Sequence, residues 1–562
     1  MTTLGQAESI AAATYSQTLM KRHSRFIALG LCASFLVEHV SADSLTLNTR
    51  HRVRDAAGLW AVSEQKVLWE SSKTAVIVCD MWDLHHCKNA VGRVGEMAPR
   101  MNEFLNKARS KDAFIIHAPS SCTNFYKDHP ARKRAIDAPK AANFPKAIEN
   151  WCHWIDKVEE KQGYPIDHSD GGEDDDPLEH AAWAKHLADI GRNPRSPWQR
   201  QVDLIDINAE RDAISDNGFE IWNLLEAHGI KNVMLVGVHT NMCVLGRPFG
   251  LRNMTRNGKN VLLVRDLTDA MYNPARWPYV NHFRGTELVI EHIEERVCPT
   301  TTSDQLLGGK PFRFKGDDPL HIVFMIGEKE YSTSTTLPDF AKRQLEYRGV
   351  RCTFVHVDAD DSNNFAGLEA LKDADLLFIS VRRRTPPKTQ LDLIRAHLAK
   401  GKPVVGIRTA SHAFDREPPD SEHIRWADFD DAILGIDYQG HYGNKPPKNP
   451  ATVVSIKNNA AKHPILTGVD SSPFEAKSHL YRNKKTAITV EILLTGTLKG
   501  QNEIEEPVAW TNTVDGSRVF YTSLGGPGDF ELPAFRRLIL NGILWALDEP
   551  IPPADPRVIA HK

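Results

Sequence analysis

The sequence predicts an α/β protein built from two three-layer α/β/α domains. Strand-like and helix-like runs alternate, and the alternating series occurs twice along the chain. The strand runs are apolar throughout instead of alternating apolar with polar, the pattern of parallel strands covered on both faces. At 562 residues the chain is also too long for one hydrophobic core.

The first series opens with TAVIVC at 74–79. A helical period follows over 97–110, then a strand, AFIIH, at 113–117. After a long interruption come a helix over 221–228, Gly229 as its stop, a strand, NVMLVGV, at 232–238, a helix over 244–257 and a strand at 260–264. The polar, Gly-rich stretch 301–319 reads as a linker between domains at 43–300 and 320–562. The second series has strands at 321–326, 352–357, 374–380, 403–407 and 518–523 and helices over 337–347, 389–399 and 533–547. This half is expected to be a second parallel sheet.

Lys and Arg number 69 against 72 Asp and Glu, a formal net charge of −3, which argues against a nucleic-acid partner. Eight Cys are too few for a disulfide framework at this length, and no pair has zinc-ribbon spacing. Residues 1–42 read as an upstream extension followed by a signal peptide from Met20 to Ala42. Lys21, Arg22 and Arg25 form its positive end, 26–37 its apolar core, and Val40-Ser41-Ala42 its small-x-small cleavage site. An exported protein, periplasmic or extracellular, is the expectation, with no membrane attachment after cleavage. Export would permit disulfides among Cys87, Cys122 and Cys152.

The interruption, 123–197, contains Trp151, Trp154 and an acidic Gly-rich loop from Asp167 to Asp176. Such a long connection on a compact domain is often functional. A solvated acidic loop is the plainer reading; a set of hard oxygen ligands for Ca²⁺ is the other.

Two residues of the first series stand where chemistry is done. Asp80 directly follows a buried strand, and open α/β sheets bind ligands at such strand ends. Cys243, in VGVHTNMCVLG, follows the strand at 232–238 and opens the next helix, where N–H groups and the helix dipole favour a thiolate. The backbone N–H groups of Met242 and Cys243 are candidate oxyanion donors. Asp83, His85 and His86, beside Asp80, are weak candidates for a metal.

A strand ending in Asp, followed far downstream by VGVHTNMCVLG, resembles the isochorismatase-like cysteine hydrolases, the group that includes nicotinamidases. The resemblance covers about residues 70–300 and implies Cys243 as nucleophile, Asp80 as base, and Val238-His239 as the family's often cis peptide. Members also use a Lys upstream of the Cys, but no Lys lies between Lys185 and Lys231. Glu210 and Arg211, with Arg200, fall in that window and are the candidates to assist, as is His239. Arg supplies charge but is a poor proton donor. The nicotinamidase metal set is also missing, since HAPSSC at 117–122 offers only His117. No cofactor is therefore expected.

The second series resembles the ThuA-like (trehalose-utilisation) domains, which share the class I glutamine-amidotransferase fold, so the resemblance implies a flavodoxin-like sheet for this half. HIVFMIGEKEYST, ADLLFISVRRRTPP, GKPVVGIRTASHAF, LGIDYQGHYGN and RVFYTSLGGPGDF carry the resemblance, in that order. Where amidotransferases place a nucleophilic Cys this chain has Arg408, so glutaminase chemistry is not expected. Arg408, His412 and His441 are candidate walls of a pocket for a sugar or a carboxylate. Family members often read SLGH where this chain has Ser523-Leu524-Gly525-Gly526.

The resulting expectation is an exported hydrolase of a C–N bond in a small amide, fused to a carbohydrate-related domain. Its partner would be a small amide or sugar-related molecule, and both resemblances imply a homo-oligomer. The alternative is a non-catalytic carbohydrate- or surface-binding protein built from two enzyme-derived folds; a third reading puts a sugar-modifying activity in the second half.

Overall fold

A computed structural model describes residues 44–56, 58–444, 449–485 and 487–560; the expected signal peptide lies outside them. Two large sheets organise the described chain. The first contains β1 (Ser44–Arg54), β2 (Trp60–Glu70), β3 (Thr74–Cys79), β4 (Phe114–Ala118), β5 (Ala213–Ile214), β6 (Asn232–Val238), β7 (Asn260–Asp269) and β8 (Thr300–Thr301), in the order β2-β1-β8-β7-β6-β3-β4-β5. From β8 to β5 the strands are parallel. The β1–β2 hairpin, not foreseen from sequence, closes one edge in antiparallel register. Its apolar signal is short: Leu45, Leu47 and Thr49 face inward, and most of the rest is polar.

Alternate residues of β3 face opposite cores, which is why the strand reads as unbroken apolar sequence. Ala75, Ile77 and Cys79 pack with helices Gly218–Ala227 and His282–Arg296. Val76 and Val78 pack with Val94, Met97, Met101 and Phe104 of helix Lys88–Ser110.

The second sheet comprises β9 (His321–Gly327), β10 (Arg351–His356), β11 (Leu376–Val381), β12 (Val404–Ile407), β14 (Thr452–Ile456), β15 (Phe474–Ala476), β17 (Glu491–Leu498), β18 (Gln501–Val514) and β19 (Ser517–Thr522). Its order is β10-β9-β11-β12-β19-β18-β17-β14-β15, with β13 (Ile436–His441) and β16 (Tyr481–Lys485) paired separately. Only β10 to β19 form a parallel block; the other four strands are antiparallel, a departure from the all-parallel expectation. Asp515-Gly516, both at positive φ, makes the tight turn that lets β18 and β19 pair as a hairpin. Helices Thr333–Gln344 and Pro533–Ala546 cover one face and Lys388–Ala399 the other.

The stretch read as a linker is packed chain. Thr300–Thr301 is a strand of the first sheet, the Ser303 hydroxyl and the Phe312 N–H both donate to Asp266, and Phe312 and Phe314 pack on the first core.

Strand order locates the crevices. From β3 the chain moves to β4 on one side, then to β6 on the other, so β3 and β6 flank a reversal of connection. From β9 it moves to β10 on one side and to β11 on the other, so β9 and β11 flank a second one. Ligands of open α/β sheets bind beyond the carboxyl ends of strands at such reversals.

Candidate functional site

Asp80 and Cys243 stand at the β3/β6 reversal. Asp80 has φ 48°, a left-handed conformation a non-glycine residue holds only when its surroundings enforce it. Its N–H donates to Ala118 O (3.1 Å), and its fully buried carboxylate accepts the Ser120 N–H on Oδ1 (2.8 Å). Cys243 lies in a π-helical turn, Thr240–Val244, directly after β6, and its thiol hydrogen-bonds the Asp80 carboxylate. Gly237 permits the close approach of β6 to β3: a Cβ there would lie 2.0 Å from Cys79 O. The Val238–His239 peptide is cis.

The cation that sequence reading sought upstream lies downstream. Arg247 reaches Asp80 Oδ2 with Nη2 (3.2 Å) and Nε (3.3 Å), and also hydrogen-bonds the Cys243 thiol. The Arg247 N–H donates to Cys243 O (3.0 Å), and this single turn brings the two side chains to one face. The 123–197 insertion braces this turn. The Cys152 N–H donates to Gly246 O (2.7 Å), and Arg247 lies over the Trp151 ring (5.3 Å). A Cβ on Gly246 would collide with that indole. The spacing of Arg247 four residues after Cys243 was the signal available in the sequence.

Burial raises the Asp80 carboxyl above its usual range, with Arg247 opposing. Burial and the Asp80 charge raise the Cys243 thiol, again with Arg247 opposing. The resting thiol is therefore protonated and faces the Asp80 carboxyl group. Transfer of the proton moves the negative charge to sulfur without taking it away from Arg247. Cys243 is 8% exposed. Trp82 stacks on Trp198 (4.8 Å) beside the site, and its Nε1–H donates to Ser120 O (3.1 Å).

Several expected participants stand elsewhere. Arg211 pairs with Asp112 (2.6 Å) and donates to Arg109 O, at the end of the sheet where β4 begins and opposite to Asp80. Glu210 lies on the same turn, its carbonyl taken by Arg134. The Met242 N–H donates to His239 O (2.9 Å), so it is not an oxyanion donor in this conformation. His239 does reach the site: with Asp80, Trp82 and His85 it lines a cavity of about 10 Å³. Both its ring nitrogens are buried without a partner, and burial lowers it to about 4, a neutral ring.

The weak metal candidates do not form one set. Asp83 accepts from Arg192 (2.9 Å) and the Gln199 N–H (3.0 Å), and His85 is packed against Trp82 and Trp198. His86 turns toward Glu173 (3.6 Å). His117 bonds Gln201 and Asp212 through its two nitrogens.

The acidic loop is not a solvated one. Asp175 accepts the N–H groups of Lys88 (2.7 Å) and Asn89 (2.8 Å), capping helix Lys88–Ser110, and the Cys87 thiol donates to Asp174 (3.1 Å). Among the described residues Cys87, Glu173, Asp174 and Asp175 are the group whose donor atoms converge. Two of them are already committed: Asp175 to the helix, and Asp174 to Arg93 (2.8 Å) and His282 (3.2 Å). His282 also meets Asp269 (2.8 Å), which Arg93 bonds as well (2.7 Å). Burial alone would lower His282, but these carboxylates raise it to about 9. The described cysteines are all unpaired.

In the second half the structure brings Arg408, His412 and His441 near one another, with different duties. Arg408 follows β12 at φ 48° and is 1% exposed. It donates to Ser523 O (2.7 Å) and His479 O (3.1 Å) and lies between Tyr331 and Tyr481, at 4.6 and 4.5 Å. It is a strut, not a pocket wall. His412 stacks on Tyr438 (4.5 Å), and His441 is exposed beside Tyr481 (6.5 Å).

Residues 323–546 match the family model for ThuA, described as trehalose utilisation. That segment includes most of β9, all of β10 to β19 and the whole of helix Pro533–Ala546, so the second half is ThuA-like in sequence. Among solved structures, the chain is similar to a putative ThuA-like protein from Parabacteroides merdae (18% identity, TM-score 0.32, covering 41% of this chain and 90% of that one). It is also similar to a cysteine hydrolase from Pseudomonas syringae (15%, TM-score 0.25, 42% and 92%) and to an isochorismatase family protein from Burkholderia thailandensis (13%, TM-score 0.22, 42% and 94%). No curated protein matches the chain.

Proposed function

We propose that the first half is a cysteine hydrolase acting on a C–N bond of a small amide, in an exported protein whose second half binds a carbohydrate-related ligand. The observation that carries this reading is the Asp80–Cys243–Arg247 cluster at the β3/β6 reversal. Asp80 takes the thiol proton, and the sulfur attacks the carbonyl carbon as the C–S bond forms. Arg247 holds the charge now shared between sulfur and oxyanion, and the Cys243 N–H is the remaining backbone donor candidate. Protonated Asp80 returns the proton to the leaving nitrogen as the C–N bond breaks. It then deprotonates the water that cleaves the thioester.

The test is ammonia release from a panel of small primary amides by the full chain and by the C243S and D80N variants, with melting temperature as the fold control. Turnover by the wild type, falling at least ~10³-fold in both variants at unchanged melting, is expected. Turnover that survives C243S, or none across the panel, would sink the reading.

A further inference from the structure

The crevice at the second reversal, between the ends of β9 and β11, is cationic. Glu328, Lys329 and Glu330 follow β9, and Arg382, Arg383 and Arg384 follow β11. Together with Asp415, Arg416, Glu417 and Arg425 they line an open cavity of about 660 Å³. That is in the range of small-molecule sites.

Most of its carboxylates are already committed. Buried Glu328 accepts the N–H groups of Glu330 and Tyr331 (both 2.6 Å) and of Thr333 (2.8 Å), which fixes the loop after β9. Glu330 pairs with Arg382 (3.1 Å), and Asp415 and Glu417 both pair with Arg425. Among the described residues Lys329, Arg383, Arg384 and Arg416 have no carboxylate within ion-pair distance, so the crevice keeps an excess of positive charge.

The arginine loop is held rigid. Arg383 has φ 49°, a left-handed conformation that a residue with a side chain holds only when its surroundings enforce it. It is kept there because the Arg383 N–H donates to His412 O (2.9 Å), the Arg384 N–H to Ala413 O (2.7 Å) and Arg384 Nε to Gly327 O (3.0 Å). A flexible solvated charge run needs no such scaffold. Next to it lie the faces of Tyr331 and Tyr438 and the His412 ring, which burial and the nearby arginines keep uncharged.

We propose that this crevice binds a small polyhydroxylated anion, a sugar carboxylate or sugar phosphate, with Arg382, Arg383 and Arg416 on the anionic group and the Tyr331–Tyr438–His412 edge on the hydroxyls. The proposal rests on reading the second half as a sugar-binding partner and narrows it to charged sugars. It is independent of the chemistry at Cys243.

The experiment is isothermal titration of the full chain with glucuronate, glucose 6-phosphate and glucose at low and moderate salt. At least one anionic sugar should bind at least tenfold more tightly than glucose, and more weakly as salt rises. The R382Q/R383Q double variant should lose at least tenfold while its melting temperature stays put. The single variant R416Q, on an exposed loop, gives a second reading should the double variant fail to fold. Preference for the phosphate or the carboxylate identifies the anion. Equal affinity for glucose would overturn the anion assignment and leave the sugar-binding reading standing. Binding of none of the three would overturn both, and undiminished binding by both variants would overturn the crevice.

Discussion

The two sheets present opposite chemistry at equivalent places. At the β3/β6 reversal the strained strand-end residue is Asp80, buried, with a thiol as neighbour and one arginine as counter-charge. In the second sheet the strained residues are Arg383 and Arg408, among tyrosines and histidines, and no cysteine follows β12. The same backbone device, a left-handed residue just past a parallel strand, thus sets a buried carboxylate beside a thiol in one half and places cations in the other. Location on the fold marks a site, while side-chain chemistry decides its use.

The sharpest way to break this contrast is to remove the counter-charge from the first edge. R247M leaves Asp80 buried beside Cys243 without its cation, and turnover should fall by about 10²–10³-fold. Iodoacetamide labelling of Cys243 at pH 8 should fall by at least about tenfold, a readout that needs no substrate, and R247K should recover part of it. Labelling within threefold of wild type would reduce Arg247 to a packing residue.

The matching change on the second edge should behave differently. R408M strips donors from two buried carbonyls and should cost about 3 kcal/mol in urea unfolding, with Cys243 labelling unchanged. A labelling change as large as that of R247M would mean that the two edges are coupled.

A smaller effect tests the charge network beside the first edge. His282 is raised to about 9 by Asp269 and Asp174, so its stabilisation is complete below the unfolded value near 6.5 and is lost as pH climbs through about 9. H282N should therefore be less stable than wild type by roughly 2 to 3 kcal/mol at pH 6, and the gap should narrow by pH 9.5. A gap that is constant with pH would show that His282 contributes packing alone.

Continuous apolar runs made the parallel strands legible, and β6 falls on the predicted residues. The β1–β2 hairpin was hidden because one face of it is solvated. The antiparallel block from β18 to β15 was missed although Asp515-Gly516 signals a hairpin turn; attention to buried-strand runs passed over strands that alternate. At the site, Asp80 and Cys243 were legible from strand ends and motif. Arg247 was not, because a cation was sought at a family position and not at one helical turn from the sulfur. The clamp made by Asp174 and Asp175 was invisible for another reason. Its partners, Lys88, Asn89, Arg93 and His282, lie about 80 to 110 residues away in sequence, and only the folded chain brings them together.

The four-residue separation of Cys243 and Arg247 makes thiol and guanidinium one short cassette, closed by its own backbone hydrogen bond. A single inserted or deleted residue between them would swing the guanidinium by about 100° around the helical axis and point it away from the sulfur. Substitutions in this segment can be graded, but changes of length cannot. Variation in loop length, common elsewhere on α/β surfaces, should therefore stop at this turn and resume beyond Gly250.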